Sequence, residues 1–219
     1  MIIDLPENTS KEVLVINEHI KIEDGILKLK FPISFQESMY ELTYLIRGKE
    51  KCFYCSRIIP SDKLTLDHLI PQDLGGPTIP NNLFPTCKKC NCDKSNLTKS
   101  MYDKYLSLPT ASDKKQFIID FQTISFFIHR WYGLDFVKDW VEEKEIDNII
   151  VNISLEYGYK GKKYKKIKEY YRKYKHFQKP IIVDRKNFLL DGFTTLMFAK
   201  DNQIKKVPVI VLENVEVIF

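Results

Sequence analysis

Two C-x-x-C pairs, Cys52/Cys55 and Cys87/Cys90, are separated by 31 residues, and no other feature of the chain limits its fold as much. Between Lys51 and Leu108 the apolar runs are short and are broken by Pro60, Pro71, Gly75, Gly76, Pro77, Pro80 and Pro85. A core this thin needs a staple. Four thiolates supply one: a tetrahedral four-sulfur site takes Zn2+ at about 2.3 Å per bond and leaves no open position for a substrate. The zinc expected here is therefore structural. Ser56 and Asn91, not His, follow the pairs, which excludes c-type haem attachment. The fifth cysteine, Cys92, sits two residues after Cys90 and about 200° around a helix from it. It is read as a spare thiol, since moving the ligand from Cys90 to Cys92 would also displace Asn91.

Between the pairs lie Leu64-Thr65-Leu66-Asp67-His68-Leu69-Ile70-Pro71, then Gly75-Gly76 and Asn81-Asn82-Leu83; Asn91 and Lys94 follow the second pair. Residues 52–94 closely resemble the HNH endonuclease family. Its pattern is a C-x-x-C, an Asp-His before an apolar pair and Pro, a Gly-Gly loop, an Asn-Leu, and a C-x-x-C-Asn-x-x-Lys. The resemblance implies that His68 is the general base, that Asp67 and Asn91 hold a catalytic Mg2+ or Mn2+, and that Asn82 orients His68 or its strand. The middle Asn can also be Asn81, although Asn82 is the one directly before Leu83. The resemblance further implies products with 5′-phosphate and 3′-hydroxyl ends. The chemistry suits these residue types. A carboxylate and an amide oxygen are ligands for a hard cation, and an imidazole with an unperturbed pKa near 6.5 takes a proton from water near neutrality. Asp67 and His68 are adjacent at the end of a strand run, so their side chains diverge and can address two sides of one phosphate.

Ahead of this segment, alternation around Val13, Val15, Ile20, Ile22, Ile26 and Leu29 with Glu23-Asp24-Gly25 between the runs predicts a β-hairpin over 12–31. Ser34 and Glu37 form a capping-box pattern, followed by Phe35, Met39, Leu42 and Ile46 at helical spacing and closed by Gly48. Behind it, Phe117, Phe121, Ile124, Phe127 or Ile128, and Trp131 mark a second helix that starts near Thr110, ends at Gly133 and can pack on the first. Strands are expected at Ile181–Asp184, Phe188–Leu190 and Val207–Leu212, with a helix over Gly192–Lys200.

The net charge of +5 is uneven: residues 157–179 carry ten basic side chains against one acid, Glu169. Lys162, Lys163, Lys165, Lys166, Lys168, Arg172, Lys173 and Lys175 interleave with Tyr164, Ile167, Tyr171 and Tyr174 at helical spacing. The Tyr stripe is expected to face a core. The charge is expected to track nucleic-acid phosphates, with Lys94, Lys162, Lys163, Lys165, Lys166, Arg172 and Lys173 as contacts. The runs Lys179-Pro180-Ile181-Ile182-Val183-Asp184, Leu189-Leu190-Asp191-Gly192-Phe193-Thr194-Thr195-Leu196 and Val207-Pro208-Val209-Ile210-Val211 resemble the ParB/sulfiredoxin-like fold. That family usually has Arg where this chain has Thr195.

The expected architecture is α+β. A zinc-bound, treble-clef-like ββα-metal HNH segment has flanking helices, and a small ParB-like α/β domain closes the chain. The expected divisions are 1–50 (hairpin and helix), 51–108 (HNH segment), 109–150 (helical connection) and 151–219 (basic domain). The expected activity is metal-dependent hydrolysis of duplex DNA. Two alternatives are a catalytically silent zinc-containing DNA-binding protein and a nucleotide-dependent ParB-like switch. No run approaches the ~18 apolar residues of a spanning helix. Without a membrane partner or a signal-like N-terminus, the protein is expected in the cytoplasm.

Overall fold

The structure, a computed structural model, describes residues 1–6, 13–31, 34–151 and 161–219. Expected features at Glu12 and at residues 157–160 lie outside the described residues. Strands β1 (Leu14–Asn17), β2 (Ile20–Glu23) and β3 (Ile26–Lys30) form an antiparallel meander. Asp24 and Gly25 both take positive φ, +53° and +70°, the geometry of a two-residue turn that matches strand twist. Helix α1 (Phe35–Arg47) buries Phe35, Met39 and Leu42 at helical spacing and ends at Gly48 with φ +74°. Its expected capping box is not formed, because the Ser34 side chain makes no cap hydrogen bond.

Strands β4 (Leu64–His68) and β5 (Leu83–Cys87) pair antiparallel, with Leu64 opposite Cys87 and His68 opposite Leu83. Helix α2 (Lys88–Lys94) follows at once and packs back on both strands. Next come α3 (Lys99–Ser107) and α4 (Ala111–Phe127). Thr110 and Asp113 form a reciprocal capping box at the start of α4, which rests on α3 through Tyr105 and Phe117.

The last part of the chain holds β6 (Glu142–Glu145), α5 (Lys162–Tyr174), β7 (Ile181–Asp184), β8 (Leu189–Asp191), α6 (Phe193–Asp201) and β9 (Lys206–Leu212). Its sheet order is β6-β9-β7-β8, with β7 and β9 parallel. All four residues of β7 are buried, which is why this strand reads as an unbroken apolar run. Ile181 and Val183 face Leu196, Phe198 and Ala199 of α6, whereas Ile182 joins a second core. Of the Tyr stripe of α5, Tyr164, Ile167 and Tyr171 are half-buried against the first of these clusters, as expected, whereas Tyr174 packs beside Phe126 and His129.

The second core contains Ile22, Leu27, Leu29, Met39, Leu42, Ile79, Leu83, Ile182, Ile210 and Val215. It therefore joins the N-terminal meander, the segment between the cysteine pairs and the last sheet. The joint is covalently remote but hydrogen-bonded: β10 (Val215–Ile218) runs parallel to β3, with Val215 opposite Leu27. Asn214 exchanges two hydrogen bonds with the backbone of Ile3, at 2.9 and 3.0 Å. Asp184 closes this corner, its buried carboxylate accepting the N–H groups of Lys186, Phe188 and Val217. No helix among the described residues is long and apolar enough to cross a membrane.

Candidate active site

The staple comes first in the construction of the site. The sulfur atoms of Cys52, Cys55, Cys87 and Cys90 all lie within 4.8 Å of one another. That spacing fits one tetrahedral ion, and an all-thiolate donor set suits Zn2+. The first pair sits on a tight turn, where Ser56 N donates to Cys52 O and Cys52 N donates to Arg57 O. The second pair spans the junction of β5 and α2, where Cys90 N donates to the Cys87 sulfur at 3.4 Å. The Arg57 guanidinium, 3.3 Å from the Cys55 sulfur, holds that thiol down at about 6, which favours the ligating thiolate. Cys92 is exposed and outside the cluster, as the helical angle implies.

β4 ends at Asp67 and His68. Asp67 is 5% exposed. Tyr54, which lies inside the first C-x-x-C turn, donates its hydroxyl to Asp67 Oδ2 at 2.7 Å. The ammonium of Lys94 lies 3.0 Å from Oδ2 and 3.2 Å from Oδ1, and donates to the His68 carbonyl at 2.7 Å. Burial raises the Asp67 pKa while Tyr54 and Lys94 oppose the rise; burial also lowers that of Lys94. Lys94 was expected on a nucleic-acid surface. It is instead fully buried, because its place in the last turn of α2 turns it onto β4.

Asn91 also comes from α2. Its Nδ2 donates to Thr65 Oγ1 at 3.0 Å and to Leu66 O at 3.3 Å, which ties it to the strand that carries Asp67 and His68. Its amide oxygen accepts no hydrogen bond among the described residues and is available to a cation. Asn91 thus fits a divalent ion directly. Asp67 fits one in exchange for Lys94, whose positive charge already sits on both carboxylate oxygens.

The His68 Nε2 atom lies 3.0 Å from Thr78 Oγ1 and 3.2 Å from Gln72 Nε2, and Gln72 Nε2 donates to Thr78 Oγ1 at 3.1 Å. Lys179 donates to Gln72 Oε1 at 3.0 Å. An ammonium can only donate, so it fixes the Gln72 amide with its NH2 group toward the imidazole. Burial, then the charges of Lys179 and Lys94, push the His68 pKa down to about 4, and the ring is neutral at pH 7.

Asn82 is buried and does not serve the imidazole directly. Its Oδ1 accepts Ile70 N at 2.9 Å and its Nδ2 donates to Ile70 O and Pro77 O, each at 3.0 Å. It thereby clamps both arms of the loop that carries Gln72. Asn81 faces away, bonded to Asp4. Gly76 belongs to the same clamp, since a Cβ there would sit 1.8 Å from Ile70 O. Among the expected basic residues, Lys162, Lys163, Lys165, Lys166, Arg172 and Lys173 are exposed on α5. Tyr54, Gln72 and Thr78 went unnoticed in the sequence, and Lys179 was read only as part of the basic segment and of the strand run that it opens. Only Tyr54 carried a signal, its position between two zinc-spaced cysteines.

Residues 52–106 match the family model of the HNH endonucleases. Two solved structures of the N-domain of pNOB8-like ParB are similar to 32% of this chain at 23% identity. They have TM-scores of 0.27 and 0.26, and 28% and 26% of their own lengths are covered. The chain thus spans little more than a quarter of the structures it matches. No curated protein matches it. The HNH match points to a nuclease-like or DNA-binding function for the stapled segment.

Proposed function

We propose that the chain is a metal-dependent HNH-type endonuclease that hydrolyses phosphodiester bonds of duplex DNA. The observation that carries this is that β4 ends on Asp67 and His68 and that Asn91 is anchored on Thr65 and Leu66 of the same strand. His68 is the general base in this reading: its ring is neutral at pH 7 and free to take a proton, and Thr78 and Gln72 hold its Nε2 side. Its pKa, lowered to about 4, requires the bound substrate's negative charge to raise its proton affinity. It takes the proton of the attacking water as the new P–O bond forms and the bond to the leaving 3′-oxygen breaks. Asp67 and Asn91 would hold a Mg2+ or Mn2+ ion, which when bound stabilises developing charge and the leaving oxygen. Tyr54 keeps its proton, its pKa raised by burial and by Asp67, and so remains a donor that orients the Asp67 carboxylate. The zinc-spaced cysteines hold Tyr54 in place.

Supercoiled plasmid incubated with the protein and Mg2+ or Mn2+ is expected to be nicked or linearised, and His68→Ala to slow this by at least ~10²-fold. Plasmid left intact under every divalent ion would remove the assignment. One observation favours a second possibility, a zinc-stapled DNA-binding module without catalysis: Lys94 and Tyr54 already occupy Asp67. That module would shift the plasmid in a gel without cutting it.

A further inference from the structure

A cleft of about 230 Å3 opens between α5 and the loop that follows His68. Lys163 and Lys166 line it from α5, Lys179 from the start of the segment before β7, Thr195 from α6 and Asp73 from the loop. Three lysine side chains therefore line one small space. The single acid among them is already engaged, since Asp73 Oδ2 accepts Asn96 Nδ2 at 2.6 Å. Thr195 is 8% exposed and lines the cleft beside the lysines. The donors and the charge suit an anion with several acceptor oxygens.

The cleft adjoins the reaction centre. Lys179 Nζ is 3.0 Å from Gln72 Oε1, and Gln72 Nε2 is 3.2 Å from His68 Nε2, so one side chain separates the cleft's lysine from the candidate base. Its volume is below the roughly 300–1,000 Å3 usual for a whole small-molecule ligand, but is ample for a phosphate with part of its sugar. A roomier cleft of about 580 Å3, lined by Trp131, Lys138, Glu142 and His176, shares no lysine with it and carries mixed charge.

We infer that Lys163, Lys166, Lys179 and Thr195 form a seat for a backbone phosphate of the nucleic-acid strand being cut, next to the scissile one. This rests on the nuclease assignment above and extends it. The last 60 or so residues become part of the substrate site, not an independent binding unit. Lys179 is a positioning residue, holding the strand on one side and Gln72 on the other.

The experiment uses full-length His68→Ala protein, expected to cut at least ~10²-fold more slowly than the parent, and a set of duplexes that each carry one uncharged methylphosphonate near the cut site. One position is expected to weaken binding about tenfold, as when a charged hydrogen bond is lost. In the His68→Ala/Lys179→Gln protein, the unmodified duplex should bind about tenfold more weakly, and that same methylphosphonate should cost nothing further. His68→Ala/Lys163→Gln should show the same coupling, and Lys163 is exposed, so its replacement does not endanger folding. If the losses simply multiply at every position in both variants, the seat does not exist, although duplex binding itself leaves the nuclease assignment standing. If a nucleoside triphosphate raises the melting temperature of the parent but not of the Lys179→Gln variant while the losses multiply, the cleft serves free nucleotides and the inference is overturned. If no duplex is bound at all, the nuclease assignment falls with it.

Discussion

The ammonium of Lys94 lies 3.0 and 3.2 Å from the two carboxylate oxygens of Asp67, so a buried lysine supplies the positive charge on this carboxylate. On the proposed function, a divalent ion and Lys94 would compete for the same carboxylate. Replacing Lys94 by Met leaves Asp67 buried and unpaired, a change that typically costs about 3–5 kcal/mol. Lys94→Met is therefore expected to melt well below the parent protein in chelator and to recover part of the loss in millimolar Mn2+, because an ion that binds only the folded state stabilises it. The parent should gain much less. Thermal melts with and without Mn2+, together with Mn2+ titration followed by electron paramagnetic resonance, check this. Equal gains in both proteins would show that lysine and metal do not compete.

Zinc is expected at one ion per chain, and its loss should reach the Asp67 end of the site through Tyr54. The four sulfurs are within 4.8 Å of one another, and Tyr54 sits between two of them in sequence. Binding energy at such a site is folding energy. Cys52→Ser is expected to lower soluble yield, and a strong chelator to abolish near-ultraviolet dichroism from Tyr54 and Tyr102, whose rings meet edge to face at 5.0 Å. Elemental analysis that finds no zinc in folded protein would rule the staple out.

His68 makes stability depend on acid. Its folded-state pKa is lowered from 6.5 to about 4, so between those values the unfolded chain binds a proton that the folded chain does not. Stability from this group is present above about pH 6.5 and declines as pH falls toward 4. Melting temperatures measured from pH 7 to 4 should fall more steeply in the parent than in His68→Asn, which cannot titrate. Parallel curves would mean that the imidazole is not held neutral by its surroundings.

Much of the local structure was legible because it is set by neighbours in sequence. The Asp24-Gly25 turn needs two positive φ values, and Asp-Gly is the pair that tolerates them. The Cys spacing placed four sulfurs together. The pairing of β10 with β3 had no local signal, because Val215 and Leu27 are distant in sequence and parallel partners share no turn. The sequence named the candidate ligands and base but not the residues that hold them. Gln72, Thr78 and Lys179 meet His68 only after a loop and a remote strand have packed. Lys94 was misplaced for a related reason: a lysine in the last turn of a short helix reads as solvent-facing until the strand beneath it supplies a buried carboxylate. Ser34 and Glu37 show the converse, a capping pattern whose side-chain bond is not made.

The two adjacent asparagines allow a test of how the His68 loop is held. Asn82 makes three side-chain hydrogen bonds, all to the backbone of Ile70 and Pro77, and is 1% exposed. Asn82→Ala leaves those groups without partners, at about 1–3 kcal/mol for a buried polar group so exposed to loss. The loop that carries Gln72 would loosen, and with it the hydrogen bonds that fix the His68 ring. Asn81 bonds only to Asp4 and the Ile2 carbonyl at the surface, so Asn81→Ala should change stability by less than about 0.5 kcal/mol. Plasmid cleavage should fall at least tenfold in Asn82→Ala and stay near the parent rate in Asn81→Ala, with melting temperatures moving in the same order. Asn82→Ala protein that melts and cleaves like Asn81→Ala would show that the loop, and the His68 geometry built on it, is held by the backbone alone.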